Sequence, residues 1–384
     1  MEYIYVDHAA TTPVHPEVIQ VMADTMANVI GNPSSVHSFG RKARQIVDEA
    51  RTKAASSINA EFQEIIFTSG GTEADNMAIL GVAYANRDKG NHIITTQIEH
   101  HAVLHACEHL EKNGFSVTYL PVDRKGQVDV NELKNALRDD TILVSIMYAN
   151  NEVGTIQPIR EIGELLKNHP AYFHTDAVQA YGTLPIDVKR DGIDLLSVSS
   201  HKINGPKGIG FLYVKDGVKL AKTSFGGEQE RKRRAGTENV PAISGFKKAI
   251  ELMEQSRSEK LEKYHLLKSL FIEKLKAEEI RFSVNGSENS LPHIVNMSFP
   301  GTNVEQMLVN LDLERIAASS GSACTAGSLE PSHVLAAMFG KNSEELYNSI
   351  RFSFGMGNTE EQIEQLAQKT AAIVRRLEIG RAHV

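Results

Sequence analysis

Strand-like and helix-like segments alternate regularly between residues 64 and 214 of the chain. Short apolar runs rich in β-branched and aromatic residues are separated mostly by amphipathic segments with apolar residues three and four apart. This pattern predicts an α/β domain whose mostly parallel, seven-stranded sheet is covered by helices on both faces. The loop before the last run is too short for a crossover helix, so that run should pair antiparallel. The strand-like runs are 64–69, 92–97, 116–122, 141–148, 171–177, 194–200 and 208–214.

The pattern changes from about residue 242 onward. A charged amphipathic stretch, 243–280, predicts one long helix or two consecutive helices, and it is followed by shorter strand-like runs and a final helical segment. This order predicts a second, smaller α+β domain. We place the large domain at 14–255 and build the small domain from 1–13 and 256–384.

Composition and charge limit the classes of partner. The net charge of −7 argues against direct nucleic-acid binding through a broad basic surface. The two cysteines, Cys107 and Cys324, lie far apart and favour a reducing compartment over a disulfide framework. The start of the chain has no signal-peptide pattern, and no apolar run approaches the ~20 residues that span a bilayer. We therefore expect a cytoplasmic protein that does not contact membranes.

Polar side chains follow several of the predicted strands. In open parallel sheets, ligands bind beyond the carboxyl ends of the strands, so side chains at those ends should converge. One histidine, one asparagine, one aspartate with a glutamine close behind, and a histidine–lysine pair are found there. They are His100, Asn151, Asp176, Gln179, His201 and Lys202.

A glycine turn, TSGGTEADN at 68–76, leads from the first of these strands into a helix. Thr72 is the expected N-cap, and free N–H groups around Gly71 would form a phosphate-binding cup at the helix start. The alternative is a tight capped turn with no ligand. The spacing matches neither a P-loop nor a dinucleotide fingerprint.

The lysine and the aspartate suggest one cofactor. Pyridoxal 5'-phosphate (PLP) needs a lysine for covalent attachment, a carboxylate beside its ring nitrogen and a phosphate site. Lys202 and Asp176 could fill the first two roles, Ser199 and His201 could donate to the phosphate, and His100 could cover the ring. The alternative for Lys202 is a solvated lysine at a strand end.

The two cysteines have different surroundings. Cys324 lies in AASSGSACTAGSLEPSHVL, a loop of small residues where a thiol can be exposed and reactive. Cys107 lies on a helical segment and is expected to be a small core residue.

A histidine-rich helix offers a competing interpretation. His101, His105 and His109 recur every fourth residue on one helix face, which is a spacing that can bind zinc. A zinc hydrolase is therefore an alternative, although no HExxH pattern is present. A polar helix face is the other explanation.

Many segments, in one order over almost the whole chain, carry a family resemblance. The chain resembles the PLP-dependent NifS/IscS-like cysteine desulfurases of the class V aminotransferase group, which have the fold-type I transferase architecture. The matching segments are YVDHAATTP, GNPSSVHSFGRKAR, FTSGGTEADN, IEHHAVL, YANNEVGTIQP, HTDAVQA, SSHKINGPKGIG, GGEQERKRRAGTENV, SSGSACTAGSLEPSHVL and NSIRFSFG.

The resemblance implies roles for these residues. Lys202 would be the Schiff-base lysine, His100 would stack on the ring and help to move protons, and Asp176 and Gln179 would bind the ring. Thr72, Ser199 and His201 would hold the phosphate, and Thr237 would reach the phosphate in the partner subunit of a homodimer. Asn151 and Arg351 would bind the carboxylate of L-cysteine. Cys324, in the loop of the small domain, would be the nucleophile that accepts the sulfur as a persulfide.

The resemblance leaves the sulfur acceptor open between an iron–sulfur scaffold and a tRNA-thiolating enzyme. The alternatives are a selenocysteine lyase or another class V PLP enzyme, the zinc hydrolase described above, and a non-catalytic interaction protein.

Overall fold

A computed structural model describes residues 3–320 and 331–381. Its main sheet has seven strands in the order β2-β8-β7-β6-β5-β3-β4. The strands are β2 (Ile65–Thr68), β3 (His92–Thr96), β4 (Ser116–Leu120), β5 (Thr141–Ser145), β6 (Tyr172–Asp176), β7 (Leu195–Ser199) and β8 (Gly210–Val214). Strand β8 runs antiparallel to both of its neighbours, whereas the other pairs along the sheet are parallel. The predicted α/β class, the seven strands and the antiparallel final pair are confirmed.

Both faces of this sheet are covered. Helices α3 (Gly71–Ala85) and α4 (His101–Lys112) pack on one face. The other face is covered by α1 (Pro16–Asn28), α2 (Ser38–Ser56), α6 (Ile159–Leu166) and the start of α7 (Val240–Ala277), with α5 (Val130–Ala136) near the edge. Successive strand residues such as Ile65 and Ile66 are buried in different clusters, because neighbouring side chains on a strand point to opposite faces. This is why the strands appear in the sequence as nearly continuous apolar runs.

A second hydrophobic cluster lies outside the main sheet. It includes an antiparallel three-stranded sheet in the order β12-β10-β9 and a parallel pair, β1 with β11. Phe271 of α7 is at its centre, and its ring centroid lies 4.9 Å from that of Phe352. Its elements are β1 (Ile4–Tyr5), β9 (Ser283–Asn285), β10 (Ile294–Ser298), α8 (Val304–Leu313), β11 (Ile316–Ala317), β12 (Ser349–Ser353) and α11 (Glu360–Arg381).

Helix α7 connects the two clusters. The stretch that the sequence allowed to be one helix or two is a single helix of 38 residues. Its first half packs on the main sheet and its second half on the second cluster, so the predicted boundary at 255 lies inside a continuous helix. Two short helices, α9 (His333–Phe339) and α10 (Glu345–Asn348), join a small separate cluster.

Within the described ranges, 3–320 and 331–381, no helix has both the length and the apolar composition that crossing a bilayer requires.

Candidate active site

One cavity lies where the carboxyl ends of the parallel strands meet. Strands β2, β3, β5, β6 and β7 all point toward this edge, and the segments that follow them form its walls. The volume of the cavity is about 860 Å³. Predicted site residues that line it are Gly71, Thr72, His100, Asn151, Asp176, Gln179, Ser199, His201, Lys202 and Arg351.

Lys202 ends a short 3-10 turn, Ser200–Lys202, directly after β7. Its Nζ donates to the carbonyl oxygen of Ala9 and, at 2.8 Å, to that of Ala10. The chain then turns sharply, with Asn204 at φ 63°. Thr12 holds the N-terminal segment against this turn, because its Oγ1 donates to the His201 carbonyl at 2.7 Å. The lysine is therefore half-buried and oriented by two backbone carbonyl groups, not solvated at a strand end.

Asp176 lies at the end of β6 and is almost fully buried. Its Oδ1 accepts from the Val178 N–H at 2.9 Å, yet burial raises the pKa of its carboxyl group to about 6. Gln179 lies beside it, and its Nε2 donates to the Ala9 carbonyl at 2.9 Å. Ala9 thus accepts from both Gln179 and Lys202.

A second buried carboxyl group, Asp75, faces Asp176. It lies on the buried side of α3, and burial, followed by the charge of Asp176, raises the pKa of Asp75 well above its ordinary value. The raised pKa favours the protonated form of Asp75. Its Oδ1 is 3.5 Å from Nε2 of His174, whose pKa is lowered to about 3 by burial.

The sequence reasoning missed Asp75, although an acidic residue on the apolar side of a predicted helix was a usable signal. With His100 and Asp176 it forms a group whose potential ligand atoms lie within 4.8 Å of one another.

His100 caps the start of α4. Its Nδ1 accepts from the Ala102 N–H at 3.1 Å. Burial, followed by repulsion from Lys202, lowers the pKa of His100 to about 4. The ring is therefore neutral at pH 7, and since Nδ1 accepts, its proton is on Nε2. A neutral imidazole with its proton on Nε2 lines the cavity.

The start of α3 departs from one prediction. Thr72 is not the N-cap: helix α3 begins at Gly71, and Gly70 is the cap residue. Gly70 has φ +149°, a backbone conformation that residues with a side chain rarely adopt. A Cβ on Gly71 would lie 2.7 Å from Cγ2 of Val178. The two glycines therefore let the first helical turn approach β6 and Ser199, with its N–H groups unpaired within the helix. Thr72 is within this first turn.

His201 lines the same cavity as the start of α3. Its Nδ1 is 3.1 Å from Oγ1 of Thr11. Burial, followed by repulsion from Lys202, lowers its pKa to about 4, so this ring is also neutral near pH 7. The start of α3, Ser199 and His201 together place hydrogen-bond donors at this end of the cavity.

Arg351, on β12, forms the opposite wall. It is 2% exposed, and its Nη1 donates to the Asn151 carbonyl at 2.9 Å. Its Nη2 is 2.9 Å from Oδ1 of Asp7. Asp7, which follows β1, is a second residue that the sequence reasoning missed. A buried guanidinium in this place is suited to binding a carboxylate.

One predicted site residue is not brought together with the others, and a second cannot be placed because it is outside the described residues. Thr237 is exposed and lines a different cavity, of about 170 Å³, beside Arg234 and Glu238. Cys324 lies outside the described residues. The segment before it ends near the site, because Ser319 Oγ donates to Oδ2 of Asp7 at 3.0 Å. After it, His333 Nε2 is 2.8 Å from the Glu99 carbonyl.

The histidine face of α4 contacts other aromatic side chains, and Cys107 is in the core. His101 stacks near His105 and His333, with centroid distances of 5.0 and 4.7 Å, while His109 Nε2 is 3.2 Å from the Tyr84 hydroxyl. Cys107 is fully buried, as predicted, and burial raises the pKa of its thiol.

Comparison with known proteins identifies the family. The model of the family described as Aminotransferase class-V matches residues 4–366. The chain is 62% identical to the "Putative cysteine desulfurase IscS 1" of Bacillus subtilis (strain 168), over 98% of this chain and 100% of that protein.

Solved structures agree with this family. A "NIFS-LIKE PROTEIN" superposes with a TM-score of 0.91 at 36% identity, covering 97% of this chain and all of that one. The structure titled "SspA in complex with cysteine" has a TM-score of 0.82 at 37% identity, covering 91% of this chain and 98% of that one. The fold is that of the fold-type I PLP enzymes, and the other enzyme classes considered, including a zinc hydrolase, are not favoured. The chain belongs to the class V aminotransferase family and, within it, to the NifS/IscS-like cysteine desulfurases.

Proposed function

We propose that this cysteine desulfurase uses PLP to convert L-cysteine to L-alanine and transfers the sulfur to Cys324 as a persulfide. The observation that carries the proposal is the convergence of an oriented lysine, a buried carboxylate pair and a buried arginine on one cavity of about 860 Å³. A binding module would not need all three. A selenocysteine lyase would use the same groups, and the relatives' names favour the desulfurase.

The donor set fits PLP. The first turn of α3, with Thr72, Ser199 and His201, would hold the phosphate, since free N–H groups at a helix start bind anions. Asp176 would pair with the ring nitrogen, Gln179 would bind the ring oxygen, and Lys202 would attach the cofactor covalently. When bound, PLP supplies an electron sink that stabilises negative charge at the substrate α-carbon.

The pKa values of the surrounding groups support this arrangement. Burial raises the pKa of Asp176 to about 6, which leaves it mostly ionised at pH 7. A cationic ring nitrogen beside it would favour the ionised form further. Asp75, whose raised pKa favours the protonated form, can donate a hydrogen bond to Asp176 and help to hold this charge.

The opposite wall would bind the substrate. Arg351 and Asn151 would bind the carboxylate of L-cysteine. This carboxylate would replace the Asp7 carboxylate as the partner of the Arg351 guanidinium. A related protein, SspA, forms a complex with cysteine, which supports the same substrate here.

Two groups of the chain would move protons. Lys202 Nζ, once released from the cofactor, would take the α-proton of the substrate, and the carbonyl groups of Ala9 and Ala10 would orient it. His100 can accept or donate a proton near neutrality only after a shift from its present pKa of about 4. A bound anionic substrate would provide such a shift, because a nearby negative charge favours the imidazolium.

The sulfur step balances without another reactant. The Cys324 thiolate attacks the substrate sulfur, an S–S bond forms, and the bond between that sulfur and the substrate β-carbon breaks. The electron pair of that bond returns to the β-carbon, which gains a proton, so that L-alanine leaves and Cys324 carries one extra sulfur. The described flanks of 321–330 support this role, because Ser319 and His333 both contact residues beside the cavity.

A homodimer is also proposed. Thr237 is exposed, and Arg44 ties its segment to the loop before α2, donating to Glu238 at 2.7 Å and to the Pro33 carbonyl at 3.2 Å. Apolar side chains are exposed around these two segments, as expected for a surface that a partner covers. They are Ile30, Val36, Phe39 and Phe225. In the dimer, Thr237 would reach the phosphate in the partner's site.

The persulfide of Cys324 would pass its sulfur to an acceptor protein, either an iron–sulfur scaffold or a tRNA-thiolating enzyme. A reactive thiol of this kind needs a reducing compartment, which supports a cytoplasmic location.

The test combines a spectrum with mass spectrometry. Visible absorbance of bound PLP should change on addition of L-cysteine, and the peptide that contains Cys324 should gain the mass of one sulfur. Cys324→Ser should keep the absorbance and form no persulfide, while the control Cys107→Ser should form it. Lys202→Ala should lose turnover, and the exposed control Lys207→Ala should not. A persulfide on Cys107 alone, or a protein that takes up no PLP, would contradict the proposal.

A further inference from the structure

A second cavity lies behind the lysine, between the main sheet domain and the second hydrophobic cluster. Lys202 and Gln179 line both cavities and separate them. The second cavity has a volume of about 40 Å³, enough for one ion or a few waters. Its other polar walls come from the segment after β1, from α7 and from the loop before β10. They include His8, Lys260, Tyr264 and His293.

Several hydrogen-bonding groups around this cavity have no protein partner. In the described ranges, no hydrogen bond or ion pair involves Lys260 Nζ or the Tyr264 hydroxyl, and burial alone lowers the pKa of Lys260 and raises that of Tyr264 to about 12. His8 also lines this cavity; it is 3% exposed, with the Tyr5 backbone and the Asn358 side chain beside its ring. The buried Nδ1 of His293 lacks a hydrogen-bond partner as well.

Such a set is costly in an empty cavity. A buried polar group without a partner loses about 1–3 kcal/mol, and a charged one more. Three side chains without a protein partner surround one small space, the half-buried Lys260 and Tyr264 and the buried His293, whereas buried polar groups are usually paired. The cavity therefore needs an occupant that accepts hydrogen bonds from several directions.

The charges around the cavity determine the kind of occupant. No aspartate or glutamate is present among the described residues that line it, while Lys260 brings an ammonium group to its wall. Lys268 is nearby, with its Nζ 2.9 Å from Ser290 Oγ; burial, followed by the charges of His8 and Lys268, lowers the pKa of His293 to about 3. A cation would meet uncompensated repulsion here, and water would leave the ammonium charge unbalanced. An anion would accept from the ammonium, hydroxyl and imidazole groups together.

We infer that this interdomain cavity, bounded by Lys202, His8, Lys260, Tyr264 and His293, binds a small monovalent inorganic anion of the size of chloride. The site lies behind the lysine that the proposed function assigns to the cofactor, and it does not depend on that assignment. The bound anion would join residues of both hydrophobic clusters, since His8 and His293 belong to the second-cluster segments and Gln179 follows a strand of the main sheet. Its binding would therefore stabilise the contact between the two parts of the chain.

Bromide is the probe, because it resembles chloride and scatters X-rays anomalously. Crystals of the PLP-loaded protein soaked in sodium bromide should show one anomalous peak in this cavity, within hydrogen-bond distance of Lys260 Nζ. Lys260→Met should lose the peak. Lys263→Met, on the same helix but exposed, is the matched control and should keep it. No peak in the wild-type cavity, or a peak that persists in Lys260→Met, would overturn the inference.

A solution measurement tests the same site without crystals. Replacing sodium gluconate by sodium chloride at equal ionic strength should raise the melting temperature of the PLP-loaded protein by about 2 °C, since gluconate is too large for the cavity. The rise should be kept in Lys263→Met, reduced in Tyr264→Phe and lost in Lys260→Met. An equal rise in all four proteins would show a general salt effect and would contradict a site. Neither readout depends on desulfurase activity, so failure of this inference and failure of the proposed function are distinguishable.

Discussion

The buried pair of Asp75 and Asp176 leads to a prediction about cofactor retention. Burial raises the pKa of Asp176 to about 6, while the pKa of Asp75 is raised well above its ordinary value. The raised pKa favours the protonated form of Asp75, which can donate its proton to the Asp176 carboxylate. A hydrogen bond to a charged acceptor is worth about 1.5–3 kcal/mol, which corresponds to ~1–2 pKa units.

Two substitutions separate this donor role from simple packing. Asp75→Asn keeps a neutral donor of the same size, so the pKa of Asp176 should stay near 6. Asp75→Leu removes the donor, and the pKa of Asp176 should rise by ~1 unit or more. Because the proposed pairing of Asp176 with the ring nitrogen of PLP needs Asp176 ionised, we expect cofactor affinity to be lost as pH falls through the Asp176 pKa. The loss should therefore begin at higher pH in Asp75→Leu than in the wild type or Asp75→Asn.

The assay is a titration of the apoenzyme with PLP, followed by absorbance at a series of pH values between 5 and 8.5. We expect coincident midpoints for the wild type and Asp75→Asn, and a higher midpoint for Asp75→Leu. If Asp75→Asn shifted as far as Asp75→Leu, Asp75 would act through a charge that the asparagine lacks, and the reasoning would be refuted. Coincident midpoints for all three proteins would also refute it.

Three further predictions concern binding and stability. Arg351→Lys should lower kcat/KM for L-cysteine by ~10–100-fold, mainly through KM, because a lysine cannot bind a carboxylate with two parallel hydrogen bonds. Steady-state kinetics check this, and Arg281→Lys, at an exposed arginine, is the control. In the native protein, Arg51 Nη1 lies 2.7 Å from Oε2 of Glu230, and both side chains are buried. Arg51→Met leaves the Glu230 carboxylate buried without this partner and should lower the free energy of unfolding by about 3–5 kcal/mol. Urea denaturation should show this loss, and adding Glu230→Gln to the same protein should recover part of it. Phe271→Ala should cost about 3–5 kcal/mol in the same assay, because it opens a hole at the centre of the second hydrophobic cluster; an unchanged midpoint would mean that this cluster does not support the fold.

Local patterns were sufficient for most of the fold. Each strand of the main sheet is a short apolar run, and each covering helix has its own periodicity, so the elements could be predicted one at a time. The antiparallel β8 followed from a loop length. The positions of Lys202, Asp176 and His100 on one edge followed from a general property of parallel sheets, because the carboxyl ends of such strands meet there.

Finer features of the site depended on contacts between distant segments. The cap of α3 is Gly70 and not Thr72, because the helix start must approach β6 closely, and that approach is not visible in the local sequence. Asp75 is close to Asp176 only because α3 packs across the end of β6.

The sequence by itself determined the class of fold, the elements and the chemical types that line the edge of the sheet. Those features depend on short-range periodicity and on residue chemistry. Only the tertiary structure decided the protonation of the buried groups, the carbonyl contacts that orient Lys202 and the cavity behind it. Burial is the physical reason, because a side chain's pKa and its hydrogen-bond partners depend on neighbours that can be far away in the chain, as Ala9 is 193 residues from Lys202.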